Sequence, residues 1–236
     1  KLTTLAGQDF GCFIVNPISG TNLVQALATI GTSGKPIVNI DNPIDTDAAK
    51  SANLDIATYI GTDNEAAGGK AGDFVKEKVA AGSEVAIIGG VAGDVTSAAR
   101  VDGFKAANPN VKAFFAANDD MGLGIVKAVE NAGLTGQIVV VSVDGNKDAL
   151  QSVKDGGLSA TVAQYPYAIG TLGLQACEVA TSGGELPREI ESPTALVTPT
   201  EADDAISADP QRGGARAGTR LRERRGQGAA GGGWGG

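Results

Sequence analysis

Short polar side chains stand directly behind apolar runs throughout this sequence: Asn16 after FIV, Asp41 and Asn42 after IVNI, Thr62, Asp63 and Asn64 after TYIG, Asn118 and Asp119 after FFAA, Asp144 after VVVSV, and Gln164 after TVA. Carboxylates and amides so placed offer fixed hydrogen-bond donors and acceptors. A polyhydroxylated ligand needs both, because each hydroxyl donates and accepts and a wrong stereoisomer leaves a polar group unpaired. The same residue types also cap the helix after a strand or form Asx turns. Either role suits any one position; their recurrence behind six runs favours a binding crevice.

Other chemistry is poorly provided for. The chain has no histidine, which removes Ser-His and Cys-His catalytic pairs, imidazole proton shuttles and His-bearing zinc sites. Gly122-Leu123-Gly124 lacks the third glycine of a dinucleotide fingerprint, and GGVAGDVTS over 89–97 has no lysine where a phosphate-binding loop needs one. The acidic stretch 41–55 lacks calcium-loop spacing and reads as a solvated connector. No GxSxG elbow, catalytic carboxylate pair or reactive-cysteine setting occurs. The expectation is a non-catalytic protein without metal or cofactor.

The elements that must position the polar tips alternate. Runs at 12–15, 37–40, 57–60, 85–88, 113–116, 138–143, 160–163 and 195–197 have the length and apolarity of strands buried on both faces. Between them come segments of helical period, such as Leu23, Val24, Leu27 and Ile30, or Ala67, Ala71, Val75 and Val79. Gly82, Gly133, Gly156 and Gly183 stand where helices should stop. The fold class is α/β, with doubly wound parallel sheets whose ligands lie beyond the carboxyl ends of the strands.

Charge and cysteine usage complete the outline. From Asp209 to Gly236 the chain holds six Arg, ten Gly and two acids, a net charge of +4. Subtracting this from the formal −8 leaves −12 on residues 1–208, an acidic body that should repel nucleic acid. The tail 209–236 has little to bury and reads as disordered, more like an out-of-frame extension of GC-rich DNA than an RGG-like nucleic-acid segment. Cys12 and Cys177 read as two buried thiols, with one long-range disulfide as the alternative. No charged and then apolar leader precedes Lys1, so targeting gives no compartment.

The segments FIVNP, PIVNID, YIGTDNEAAGGKAGDFV, TSAARVDGF, VKAFFAANDDMGLG, VVVSVDGNKDAL, VKDGGLSATVAQYP and YAIGTLGLQA, in this order, resemble the ribose-binding-like periplasmic sugar-binding proteins of bacterial ABC transporters, from Leu2 to Ser207. The resemblance implies a type I periplasmic-binding-protein fold: two Rossmann-like lobes joined by a three-segment hinge near 61–63, 164–165 and 197–198. The N-terminal lobe would comprise 1–61 and 165–196, and the C-terminal lobe 62–164 and 197–208. The family's sugar contacts fall on Asn16, Asp41, Arg100, Asn118, Asp144 and Gln164. Arg100 joins the strand-tip set only through this resemblance; otherwise it reads as a helix-surface residue. The implied partners are a sugar or polyol and a transporter permease, with no nucleic acid. The implied location is periplasmic or extracellular, a lipid-anchored parent included.

The chain also departs from the family. Asn42 stands where the ribose type has arginine. An opening strand-helix-strand with ring-stacking aromatics, and one strand-helix unit between Ala107 and Pro109, are absent. The fold is therefore expected to be truncated, with bare sheet edges that lower stability and promote self-association, and an aromatic-poor cleft. The alternative function is the effector-sensing core of a LacI-type transcription regulator, which shares the fold.

Overall fold

The computed structural model describes residues 2–80, 82–107 and 113–208. The tail 209–236 lies outside the described residues, and the Ala107–Pro109 junction runs into the undescribed segment 108–112.

Two sheets organise the described residues. The first has the order β1 (Phe13–Val15), β2 (Ile37–Ile40), β3 (Thr58–Thr62) and β8 (Glu189–Ser192), all parallel. The second has the order β4 (Val85–Ile88), β5 (Ala113–Ala116), β6 (Val139–Asp144), β7 (Ala160–Ala163) and β9 (Ala195–Val197). Its first four strands are parallel, as the α/β reading expects, and β9 adds an antiparallel edge beside β7. Helices α1 (Leu2–Ala6), α2 (Val24–Gly31), α3 (Thr46–Ser51) and α8 (Pro166–Thr181) accompany the first sheet, and α4 (Asn64–Lys78), α5 (Val95–Ala107), α6 (Asp119–Asn131), α7 (Lys147–Asp155) and α9 (Ala202–Ala208) the second.

Three differences from the sequence reading have physical causes. The polar run EIES forms β8 at an outer edge, with Glu189 and Glu191 exposed, so it lacks the apolarity that marks a central strand. The stretch 41–55 is not only connector: α3 forms within it because the Asp45 carboxylate accepts from the Ala48 N–H at 2.7 Å. Cys12 and Cys177 are joined as a disulfide across a 5.8 Å Cα separation, which replaces the expected pair of thiols; Cys12 lies at the entry to β1 and Cys177 on α8, which covers that sheet.

The chain passes between the sheets at Thr62–Asn64, Ala163–Pro166 and Ser192–Ala195. The last passage precedes the expected 197–198, because Leu196 already pairs with Val162 of β7. Lys70 of α4 donates to Thr194 in this passage, and Thr62 Oγ1 donates to Gln164 Oε1 at 2.8 Å, so the first two passages are tied side by side.

Each sheet carries an apolar core on both faces, β4 and β8 at the edges being partly exposed. The first lies between Leu27, Ile30 and Ile37 on one side and Val38, Ile60 and Leu172 on the other. The second has Phe104 stacked on Phe115, centroids 4.4 Å apart, on one face, and Val140, Leu150 and Leu158 on the other. Each of these fully buried side chains contributes roughly 1.5–3 kcal/mol.

Helices α4 and α5 cross at backbone contact. A Cβ on Gly68 would stand 1.9 Å from the Arg100 carbonyl oxygen, and one on Gly103 would stand 1.9 Å from that of Glu65. Only glycine permits the approach at either point. Beyond it, Asp119 at the start of α6 is fully buried and binds three elements together: its Oδ1 accepts from Ser142 Oγ at 2.6 Å and Thr161 Oγ1 at 2.7 Å, and its Oδ2 from the Asn146 N–H at 2.8 Å. Burial pushes its pKa up to about 6, against the lowering effect of these bonds.

Both features can be tested through stability. Gly103→Ala is expected to cost about 1–3 kcal/mol, seen as a Tm fall of about 2–4 °C per kcal/mol. Gly69→Ala, in the interior of α4 and with a new Cβ that meets nothing nearer than 3.9 Å, should hold or raise the Tm; equal losses from the two would refute the crossing argument. For Asp119, the folded pKa lies above the unfolded one, so the native state binds the extra proton. Stability from this group therefore rises as pH falls from about 6 to about 4, by about 1.4 kcal/mol for each pH step of one within that window. Chemical denaturation across that range should show the slope in the wild type and lose it in Asp119→Asn.

Candidate functional site

The site is assembled from strand tips. Asn16 follows β1, Asp41 follows β2, Asn118 follows β5, Asp144 ends β6 and Gln164 follows β7, so all five lie at carboxyl ends of parallel strands. Arg100 comes from α5, where Ser97, Arg100, Gly103 and Phe104 form the buried face.

The structure gathers the six expected residues into two groups. In the second sheet, Arg100 is 7% exposed, which sets aside its reading as a surface residue. Its Nε donates to Asn64 Oδ1 at 2.8 Å, and its Nη1 to the Ala117 carbonyl at 2.6 Å and to Asp144 Oδ1 at 3.2 Å. Gln164 Nε2 donates to the same Asp144 oxygen at 2.6 Å. In the first sheet, Asn16 Nδ2 donates to Asp41 Oδ2 at 2.9 Å, while Asn16 Oδ1 accepts from the Asn42 N–H at 3.3 Å.

Asn118 stands apart in kind. Its Oδ1 accepts from the Met121 N–H at 2.9 Å and caps α6, which is the alternative role for a strand-tip amide. It adjoins Ala117, whose carbonyl receives Arg100, so it remains beside the group.

Backbone and electrostatics mark the two carboxylates further. Asp41 and Asp144 have φ of 62° and 140°, conformations that L residues rarely adopt and that cost of order 1–3 kcal/mol each. Asp144 is raised in pKa by burial, opposed by Arg100 and the Gln164 amide. Its side chain is 32% exposed against 8% for Arg100, so the carboxylate faces outward from a guanidinium held beneath it.

Two participants escape the sequence reading. Asn64 was visible as a strand-tip residue, yet its role is to orient Arg100: its Nδ2 donates to the Thr62 carbonyl at 3.1 Å, leaving Oδ1 aimed at the guanidinium. Tyr59 lies inside an apolar strand, and its hydroxyl donates 2.7 Å to the carbonyl of Asp41. Its ring lies over Gly61, where a Cβ would stand 2.0 Å from the hydroxyl. Burial, then the carboxylates of Asp41 and Glu189, raise the Tyr59 pKa, while Arg100 opposes them. The phenol thus lies within the fields of both groups. The only signal for it was a tyrosine two residues before a glycine in a strand.

Among the described residues no cluster of His, Cys, Asp or Glu suits a metal ion, and no helix is long and apolar enough to cross a membrane. What the site offers is hydrogen bonding from groups fixed in advance.

Known proteins resemble this chain in sequence and in fold. The model of the periplasmic binding protein domain matches residues 2–108 and 104–185. The D-allose-binding periplasmic protein of Escherichia coli is 35% identical, over 77% of this chain and 69% of its own length. The ribose import binding protein RbsB of Bacillus subtilis is 30% identical, over 82% and 70%. Among solved structures, an ABC transporter periplasmic solute-binding protein of Actinobacillus succinogenes with bound D-allose superposes with a TM-score of 0.79 at 25% identity, covering 86% of this chain and 82% of that one. These relatives are binding proteins rather than enzymes, and they favour a solute-binding role over a regulator core. With two sheets whose polar tips lie behind β1, β2, β5, β6 and β7, and a family model matched over most of its length, the chain belongs to the periplasmic binding protein family.

Proposed function

We propose that this chain captures a neutral sugar or polyol between the carboxyl ends of its two sheets and delivers it to the permease of an ABC importer. The observation that carries the reading is Arg100, a buried guanidinium fixed by Asn64, the Ala117 carbonyl and Asp144 at the strand tips. Such a group is oriented before any ligand arrives, so little freedom is lost on binding. Asp41 and Asp144 supply acceptors, Asn16 and Gln164 supply amides, and the paired hydroxyls of a sugar satisfy both.

The balance of charge narrows the ligand. Arg100 is neutralised by Asp144, and among the described residues no cation forms an ion pair with Asp41. Phosphorylated or acidic sugars would meet net negative charge, so a neutral polyol fits best. Closure of the lobes about the three passages would follow from contacts that both sheets make only when shut. The reading places the chain in the periplasm or, in a lipid-anchored parent, on the outer membrane face. Open sheet ends add association between copies of the chain.

Calorimetry with pentoses, hexoses, polyols and their phosphates tests this. At least one neutral sugar should bind and its phosphate should not. Asp41→Asn and Tyr59→Phe are each expected to weaken binding about tenfold, the loss of one hydrogen bond of about 1–1.5 kcal/mol. Arg100→Ala should abolish it. Unchanged affinity in folded Asp41→Asn and Arg100→Ala would overturn the site, and chemical turnover of the sugar would overturn the non-catalytic role.

A further inference from the structure

Among the described residues the two sheets end in four edge strands, and three carry features that discourage pairing. β8 exposes Glu189 and Glu191, β9 spans three residues and is soon followed by Pro199, and β1 spans three residues and runs into Pro17. Charged side chains, prolines and shortness are the usual protection of a sheet edge. β4 has none of these. It reads VAII over four residues, pairs only with β5 among the described residues, and is preceded by Glu84 and followed by Gly89 and Gly90.

The side chains agree with the backbone. Val85 and Ile87 turn toward the core under α5, whereas Ala86 and Ile88 are exposed on the other face. Ile88 is 40% exposed, and Val91 and Val95, just beyond, are 80% and 46% exposed. The apolar surface thus continues from the strand into the loop after it.

We propose that β4 is a self-association edge, at which a second copy of this chain pairs antiparallel about a two-fold axis. The register follows from the hydrogen bonds already made. The Ile88 carbonyl accepts from the Ala117 N–H at 3.0 Å, so the polar backbone groups of Ala86 and Ile88 face β5. Those of Val85, Ile87 and Gly89 face outward, because alternate residues of a strand point their backbone groups to opposite sides. An antiparallel partner centred on Ile87 pairs Ile87 with its own copy and Val85 with Gly89. That register sets Ala86 opposite Ile88 on the exposed face, apolar against apolar. It also sets Glu84 opposite Gly90, so the one charge at the edge meets no like charge.

The occupant is a second copy because the edge is complementary to itself in this register. The acidic body opposes the approach: with −12 on residues 1–208, two copies repel, and salt screens that repulsion. Pairing through a four-residue strand is therefore weak and strengthens with ionic strength. This deepens the association named above and is independent of the ligand.

Sedimentation velocity of the full chain across a concentration series, at low and moderate salt, tests the proposal. The wild type should form a dimer that salt strengthens. Ala86→Lys/Ile88→Lys sets lysine against lysine across the axis and should weaken the dimer about tenfold or more. Ala86→Glu/Ile88→Glu should do the same. Mixing the two variants should restore pairing, since each lysine then faces a glutamate; circular dichroism confirms that both remain folded. A wild type that stays monomeric throughout overturns both the association and its location. Association that both variants retain, or variants that fail to pair when mixed, overturns the β4 edge while leaving sugar capture untouched.

Discussion

A guanidinium withdrawn from water must be surrounded by acceptors, and the burial of Arg100 imposes that demand on the second sheet. Asn64 comes from the start of α4, Ala117 from the end of β5 and Asp144 from the end of β6. These three partners converge only if α5 lies against α4 at backbone contact, which the facing glycines at 68 and 103 permit. A bulkier residue at either point would lift α5 and draw the arginine from its acceptors. The small residues of the crossing and the charged residues of the tip are therefore one device. Phe104, on the same face of α5, stacks on Phe115 and sets the helix on its sheet.

The two carboxylates of the site are supported differently. Asp144 is held from behind, by Arg100 and by Gln164, whose other end accepts from Thr62 where the chain passes between sheets. Its position is thus coupled to the passage itself. Asp41 is held through its backbone: Tyr59 fixes its carbonyl and its own N–H donates to the Ile60 carbonyl at 2.8 Å, which stabilises a left-handed turn. The aromatic residue of this site acts through its hydroxyl, as a brace.

Much of this was legible in the sequence because buried parallel strands announce themselves as apolar runs and the residues behind them mark the ligand side. The runs at 37–40, 85–88, 113–116 and 160–163 coincide with β2, β4, β5 and β7. What escaped shares a physical reason. Glu189–Ser192 is an edge strand, stabilised from one side and free to be polar. The direction of β9 depends on how the two-residue passage from β8 enters the second sheet, where no periodicity exists to read. The disulfide joins residues 165 apart, and its proximity is a product of the packing of α8 on the first sheet. Asn64 and Tyr59 were hidden because their work is done on other residues, and spacing along the chain does not record contacts across it.

Where the oxygens go shows which strand-tip residues cap a helix. Asn118 gives its oxygen to the first turn of α6, and Asp63 and Asn146 do likewise for α4 and α7. Asp119, sealed from solvent, spends both oxygens on Ser142, Thr161 and the Asn146 amide, and so serves the fold. Asp144, one strand over, accepts from Arg100, Gln164 and the Asp119 backbone and still keeps its carboxylate partly in solvent. The same residue type at neighbouring tips therefore performs two tasks, and burial separates them: desolvation drives Asp119 toward its neutral form, while a cation beneath Asp144 opposes the same shift. A carboxylate left partly in solvent at a strand tip can accept from a further hydroxyl, and one sealed within the fold cannot. On that physical ground Asp119 serves the scaffold, and Asp144 is the carboxylate that the proposed function assigns to the ligand.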